Sequence, residues 1–305
     1  MNNAGFLPFP RILDGRIARA KLKKDLIQRI AELRKISGSV PKLAIIQVGS
    51  RSDSAAYISG KKQFAAEIGA LEQHINFPET VSADDIFAKI SELNDDRDMH
   101  GIIVQLPLPA ALAEAKDRIM NAVDQKKDVD GLTEASIAAW SEGKPGAMYP
   151  ATARGISELL AYYHIPVAGK KVTVVGRSVL VGRPTAAICA AAGAEVTVAH
   201  SKTEDLVAAT KSADILIVAA GKPGLITPDH VHAGQTVIDV GTTPVSDSTV
   251  PGGARIAGDV DFDRVSAVLG TSGAITPVPG GVGQMTVLAL FENLIDAWYN
   301  QHISA

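Results

Sequence analysis

Val172-Thr173-Val174-Val175-Gly176-Arg177-Ser178-Val179-Leu180-Val181-Gly182-Arg183-Pro184 is the stretch that decides the fold. Four residues with strand preference run into a glycine turn. Pro184 then stands where the first turn of a helix tolerates it, ahead of an Ala-rich segment that stops at Gly193. A strand, a glycine loop and a helix in this order let backbone N–H groups and the helix N-terminus approach a pyrophosphate. The spacing is Gly-x-Ser-x-x-x-Gly rather than Gly-x-Gly-x-x-Gly, so the loop alone also fits an ordinary strand-to-helix connection.

Outward from this corner, strands are expected at Val172 to Val175, Glu195 to Ala199, Ile215 to Ala219 and Thr236 to Val240, after a helix from Thr152 to Tyr163. Residues 150–280 read as a Rossmann-type domain. An NAD-binding domain places an acidic residue about 20 positions beyond the glycines, against the ribose 2′-hydroxyl. Here the second strand ends in His200-Ser201-Lys202, with no carboxylate to repel a phosphate. Arg177, Ser201 and Lys202 supply donors, so NADP is the expected dinucleotide.

Upstream, Asp14 is expected to cap a helix in which Ala18, Leu22, Leu26, Ile30 and Leu33 share a face. Strands at Leu43 to Val48, Leu71 to Phe77 and Gly101 to Leu106 alternate with helices over Ser54 to Ile68 and Ser82 to Leu93. The fold class is therefore α/β, with two doubly wound domains: an N-terminal catalytic α/β domain and a Rossmann-type NADP-binding domain. A boundary is expected in the turn-rich segment around 142–146. The final helix, Met285 to Tyr299, is expected to return to the first domain, giving 1–149 with 281–305 against 150–280.

If Ser54 opens its helix, Tyr57 and Lys61 lie on one face with it, and Gln105 reaches the same sheet edge from the third strand. Asp128-Val129-Asp130-Gly131 forms a turn too sparse for a calcium loop, and Asp130 is free to accept N–H groups from a ligand. Thr276-Pro277-Val278-Pro279-Gly280-Gly281-Val282-Gly283 fixes an unusual backbone path, which suits either a ligand contact or a rigid hinge.

Composition narrows the function further. The 305 residues are 46% hydrophobic and 21% charged, enough apolar content to build a core. Thirty Lys and Arg against 33 Asp and Glu leave a charge of −3, so no bulk attraction to nucleic acid or anionic lipid is expected. No apolar run is long enough to span a bilayer. The one cysteine, Cys189, reads as a buried small hydrophobe and suits a reducing compartment, so a soluble, cytoplasmic protein is expected. Seven histidines show no ligand spacing, and no metal is expected.

Taken together, Tyr57-x-x-x-Lys61, Gly101-Ile-Ile-Val-Gln105-Leu-Pro-Leu-Pro109, Lys127-Asp-Val-Asp130-Gly-Leu, Val175-Gly-Arg-Ser-x-x-Val-Gly-x-Pro184, His200-Ser-Lys-Thr203 and Thr276-Pro-Val-Pro-Gly-Gly-Val-Gly283 resemble the bifunctional methylenetetrahydrofolate dehydrogenase/methenyltetrahydrofolate cyclohydrolase family. The resemblance implies NADP-dependent oxidation of 5,10-methylenetetrahydrofolate and hydrolysis of the methenyl product to 10-formyltetrahydrofolate. It implies a catalytic Lys61 assisted by Gln105, Tyr57 stacking on the folate, and Asp130 holding the pterin, with Ser54, Pro279, Gly280 and Gly281 also at the substrate. Cofactor contacts are implied for Gly176, Arg177, Ser178, Gly182, Pro184, His200, Ser201, Lys202 and Thr242, with Arg177 and Ser201 at the 2′-phosphate. A homodimer is implied as well.

The chain departs from the family at Pro150-Ala151-Thr152-Ala153, where Pro-Cys-Thr-Pro is frequent. It departs again at Gln284, where Pro is frequent, and at Thr242-Thr243-Pro244, where Asn-Arg is common. Two other classes compete. A two-domain amino-acid or shikimate-type dehydrogenase also pairs a Rossmann half with a catalytic lysine, but leaves Gln105, the Pro107-Leu108-Pro109 turn and Asp130 without work. A non-enzymatic folate- or NADP-binding regulator would not need the Tyr57, Lys61 and Gln105 set.

Overall fold

The computed structural model describes residues 9–50, 52–249 and 253–302, with 52–57 described by backbone alone. In chain order the elements begin with β1 (Arg11–Ile12), α1 (Gly15–Ser37), β2 (Lys42–Val48), α2 (Ser52–Ile68), β3 (Leu71–Phe77), α3 (Ala83–Asp95) and β4 (Gly101–Val104). Three short helices follow, α4 (Lys116–Asn121), α5 (Glu134–Ser141) and the longer α6 (Ala151–Tyr162). Next come β5 (Lys171–Val175), α7 (Gly182–Ala191), β6 (Glu195–Ala199), α8 (Leu206–Lys211), β7 (Ile215–Val218) and β8 (Thr236–Asp239). The chain ends with β9 (Thr243–Ser246), β10 (Ala254–Ala257), α9 (Phe262–Leu269), β11 (Ala274–Ile275) and α10 (Gly283–His302).

These elements fall into two compact units. One takes residues 20–151 and 287–305 around a three-stranded parallel sheet of order β3-β2-β4. Central β2 is buried from Leu43 to Val48, as a strand covered on both faces must be. Ile86, Ile90 and Leu93 of α3 pack on it, each side chain contributing roughly 1.5–3 kcal/mol by burial. Ser82 starts that helix by accepting the Asp85 N–H at 3.1 Å, and Asp84 and Asp85 suit the positive end of its dipole. α10 returns to this unit as expected: Trp298 Nε1 donates to Ser39 Oγ, and Gln301 Nε2 to the His100 and Lys126 carbonyls.

The other unit takes residues 152–286 and the N-terminal stretch through Arg19. Its sheet is six-stranded, parallel throughout, in the order β1-β11-β8-β7-β5-β6. This differs from the expected assignment of residues 1–19 and 281–286 to the first half. Arg11 and Ile12 pair with Ala274 and Ile275, and the Tyr163 hydroxyl donates to the Asp14 carbonyl, so β1, the first strand among the described residues, extends the second sheet. The hairpin of β9 and β10 is a second unexpected element.

The first helix keeps its expected face, with Ala18, Leu26, Ile30 and Leu33 buried. Lys23 and Arg29 of the same helix are half-buried in ion pairs with Glu67 and Asp296. Among the described residues no helix is long and apolar enough to cross a membrane, and no cluster of three or more His, Cys, Asp or Glu is placed to hold a metal. Cys189 is buried, and burial pushes its thiol up to about 11, so it is an inert core residue.

Candidate functional site

The carboxyl edge of the β3-β2-β4 sheet carries the lysine site. α2 leaves β2 through Gly49 and opens at Ser52, two residues before the expected Ser54. It presents Lys61 on its third turn. β4 ends at Val104, and the Gln105 N–H still bonds the Ile46 carbonyl at 2.8 Å, which fixes where its side chain begins. From there Gln105 Oε1 accepts a hydrogen bond from Lys61 Nζ at 2.9 Å, while Nε2 donates to the Leu106 carbonyl at 2.9 Å. The second bond determines which end of the carboxamide faces the lysine: the Nε2 donor is already taken, so the carbonyl is presented.

Asp130 completes the set. Burial pushes its carboxyl above the usual carboxylate range, with Asp128 adding to the shift and the Lys61 charge opposing it. Burial likewise lowers the Lys61 ammonium below the ordinary lysine value, and Asp130 acts against that. Each group thus restrains the other, and the lysine is brought toward the range in which it can both give and take a proton.

The turn that carries Asp130 is anchored on several sides. Lys127 is buried, and its Nζ donates to the Leu93, Asn94 and Asp96 carbonyls at 2.9, 2.6 and 2.6 Å, capping the C-terminus of α3. Asp128 accepts the Leu132 and Thr133 N–H groups. Asn293 of α10 donates to the Val129 and Tyr149 carbonyls, and the Trp140 indole donates to Gly131. Lys127 and Asp128 stand in a motif visible in the sequence. Asn293 and Trp140 carry no sequence signal, because their role exists only once distant segments meet.

The second site lies at the carboxyl edge of the six-stranded sheet. Gly176 has φ of 127°, and a Cβ there would overlap the Ala219 carbonyl; a Cβ on Gly182 would in turn overlap Gly176. The loop is therefore a cradle closed to side chains and open to a ligand at the N-terminus of α7. Ser178 Oγ holds the Val181 and Gly182 N–H groups at 3.3 and 3.4 Å, and Pro184 is buried in the first helical turn. Arg177, Ser201 and Lys202 are exposed, and His200 Nδ1 accepts the Lys202 N–H at 3.1 Å, turning the end of β6. A cationic, carboxylate-free strand end beside a glycine cradle fits a phosphorylated dinucleotide.

Thr242 is exposed just before β9. Pro279 is exposed, Gly280 accepts the Gly15 N–H at 2.8 Å through its carbonyl, and Gly281 is buried, all three in the unit that holds the glycine cradle. Ser54 and Tyr57 lie on α2, but their side chains lie outside the described residues.

The tetrahydrofolate dehydrogenase/cyclohydrolase catalytic domain matches residues 13–130, and the NAD(P)-binding domain of the same family matches residues 150–302. The chain is 42% identical over 289 residues to bifunctional protein FolD 1 of Myxococcus xanthus, covering 94% of this chain and 97% of that one. It is 40% identical to bifunctional protein FolD 2 of Arabidopsis thaliana, covering 94% of each. Among solved structures, the bifunctional FolD of Campylobacter jejuni superposes with a TM-score of 0.86 at 38% identity, over 95% of this chain and 98% of that one. The Trypanosoma brucei FolD, solved with NADP cofactor and an inhibitor, superposes with a TM-score of 0.87 at 34% identity, over 96% and 98%. The chain belongs to the tetrahydrofolate dehydrogenase/cyclohydrolase family.

Proposed function

We propose that this chain oxidises 5,10-methylenetetrahydrofolate with NADP and hydrolyses the methenyl product to 10-formyltetrahydrofolate, as an enzyme of one-carbon metabolism. The observation that carries the reading is the 2.9 Å bond from Lys61 to Gln105 beside a half-buried Asp130, in a chain of this family. NADP, when bound, supplies the hydride acceptor.

The remaining work falls to side chains of the protein. Addition of water to the methenyl cation releases one proton; when the ring opens, the C–N bond breaks as the hydroxyl becomes the formyl carbonyl and loses its proton to solvent, and one proton is delivered to the departing nitrogen. Lys61 is placed to take the first and return the second. Gln105 accepts an N–H from Nζ whether the amine is neutral or charged, so the lysine keeps its position through both transfers. Asp130 is read as the group that accepts N–H bonds from the pterin, held by the anchored turn described above. Tyr57 is assigned to stack on the folate, with Ser54, Pro279, Gly280 and Gly281 as further substrate contacts. Gly176, Ser178, Gly182 and Pro184 form the pyrophosphate corner. Arg177 and Ser201 meet the 2′-phosphate, with His200, Lys202 and Thr242 around them.

This divides the labour between the lysine-bearing unit and the glycine-cradle unit. A homodimer in the cytoplasm completes the reading; sedimentation of the purified chain tests the former. The decisive experiment follows NADPH formation and loss of methenyltetrahydrofolate together on purified protein. Turnover of both supports the reading, and tight folate and NADP binding without turnover refutes it.

A further inference from the structure

Two buried carboxylates stand behind the glycine cradle, and no step described so far uses them. Asp239 ends β8 and is 3% exposed; Asp259 lies between β10 and α9 and is fully buried. No cation among the described residues pairs with either. Their partners are backbone N–H groups. Asp239 Oδ1 accepts from Gly241 and Asp259 at 2.9 Å each, and Oδ2 from Val260 at 3.0 Å. Asp259 Oδ2 accepts from Ala220 at 2.7 Å and Gly221 at 2.9 Å, while its Oδ1 is buried without a partner. That free oxygen lies 2.7 Å from where a Cβ on Gly241 would stand, so it is pressed against the turn after β8.

Burying two carboxylates side by side is unfavourable, and burial together with the Asp259 charge holds the Asp239 carboxyl up at about 6. What the pair achieves is geometric. Asp259 ties down the turn after β7, whose Ala219 carbonyl is the atom that abuts Gly176. Asp239 ties Asp259 itself to the turn after β8, which leads to Thr242. The turns that follow β5, β7 and β8 are therefore held in one network at the edge where a parallel sheet takes its ligand.

We propose that Asp259 is a positioning residue for NADP, acting through the 219–221 turn on the glycine cradle without touching the cofactor. The inference rests on the cofactor reading above.

The test is NADP affinity by calorimetry in the absence of folate, with amide hydrogen exchange as a second readout. Asp259→Ala removes the acceptor and is expected to weaken NADP binding at least tenfold, with the Michaelis constant for NADP rising by the same factor. Asp259→Asn keeps one acceptor oxygen and is expected to recover most of the loss. In the natural chain, NADP is expected to slow exchange at Ala220, Gly221 and Gly241, and this measurement stands if Asp259→Ala does not fold. Affinity within twofold of natural in folded Asp259→Ala, or exchange at those amides indifferent to NADP, overturns the proposal. Failure of the natural chain to bind NADP overturns the cofactor reading and the proposal together, a result distinct from natural binding with an unaffected variant.

Discussion

Lys61→Met isolates the proton chemistry from everything else the protein does. The variant removes one ammonium and one hydrogen bond, from Nζ to Gln105 Oε1. A hydrogen bond to a charged group contributes about 1.5–3 kcal/mol, but the same change relieves the ammonium of its burial, so the two effects oppose. The net is small against a folding stability of about 5–15 kcal/mol, and the variant is expected to fold. The glycine cradle belongs to the other compact unit, so NADP affinity is expected to stay within about twofold. With the proton shuttle proposed for Lys61 gone, hydrolysis is expected to slow by about 10²–10⁴, or roughly 3–5 kcal/mol of barrier. The assay follows disappearance of methenyltetrahydrofolate at saturating substrate across a pH series. Burial lowers the pKa of Lys61, so the natural enzyme is expected to gain activity with pH along a limb centred below the ordinary lysine value. Lys61→Met should lack that limb. Hydrolysis within threefold of natural, with the limb intact, would refute the assignment.

Asp130→Asn removes the charge that supports the Lys61 ammonium, so the pH limb moves to still lower pH and the folate Michaelis constant rises about tenfold or more; a pH–rate series with folate titration checks both. Gly176→Ala places a methyl group on the Ala219 carbonyl at φ of 127° and is expected to weaken NADP binding more than tenfold, read by calorimetry, while folate binding persists. Asp239 and His100 set opposite pH responses of stability. The Asp239 carboxyl, raised from 3.8 to about 6, costs progressively more as pH rises through that window, reaching about 3 kcal/mol. His100 is buried neutral, its pKa lowered from 6.5 to about 4, and it costs about as much as pH falls through its own window. Asp239→Asn is therefore expected to gain stability relative to the natural chain between pH 4 and 7, by up to about 3 kcal/mol in urea titrations; a pH-independent difference would contradict the assignment.

How much was legible in the sequence depended on the range of the interaction that decides each feature. Helix and strand periods are local, so β3 and β6 fall where the alternation places them, and α3 starts at its Ser82 cap. The Gly176 loop is legible for the same reason, since strand, turn and helix lie within one short stretch. The hairpin of β9 and β10 was not legible: Pro244 interrupts the strand signal and each strand has four residues, too few for alternation to register. Nor was β1, two residues long, whose assignment to the second sheet exists only through its pairing with β11.

The chain alone thus determined the class of each half and which side chains are candidates for chemistry, because side-chain type and helical or strand period are properties of neighbours in sequence. Tertiary structure alone decided that Lys61 meets the carbonyl end of Gln105 and that Asn293 and Trp140 grip the turn bearing Asp130. It alone also buried Asp239 and Asp259 as a pair. Hydrogen-bond geometry and desolvation depend on which atoms come within about 3 Å after folding, and no spacing along the chain encodes that distance.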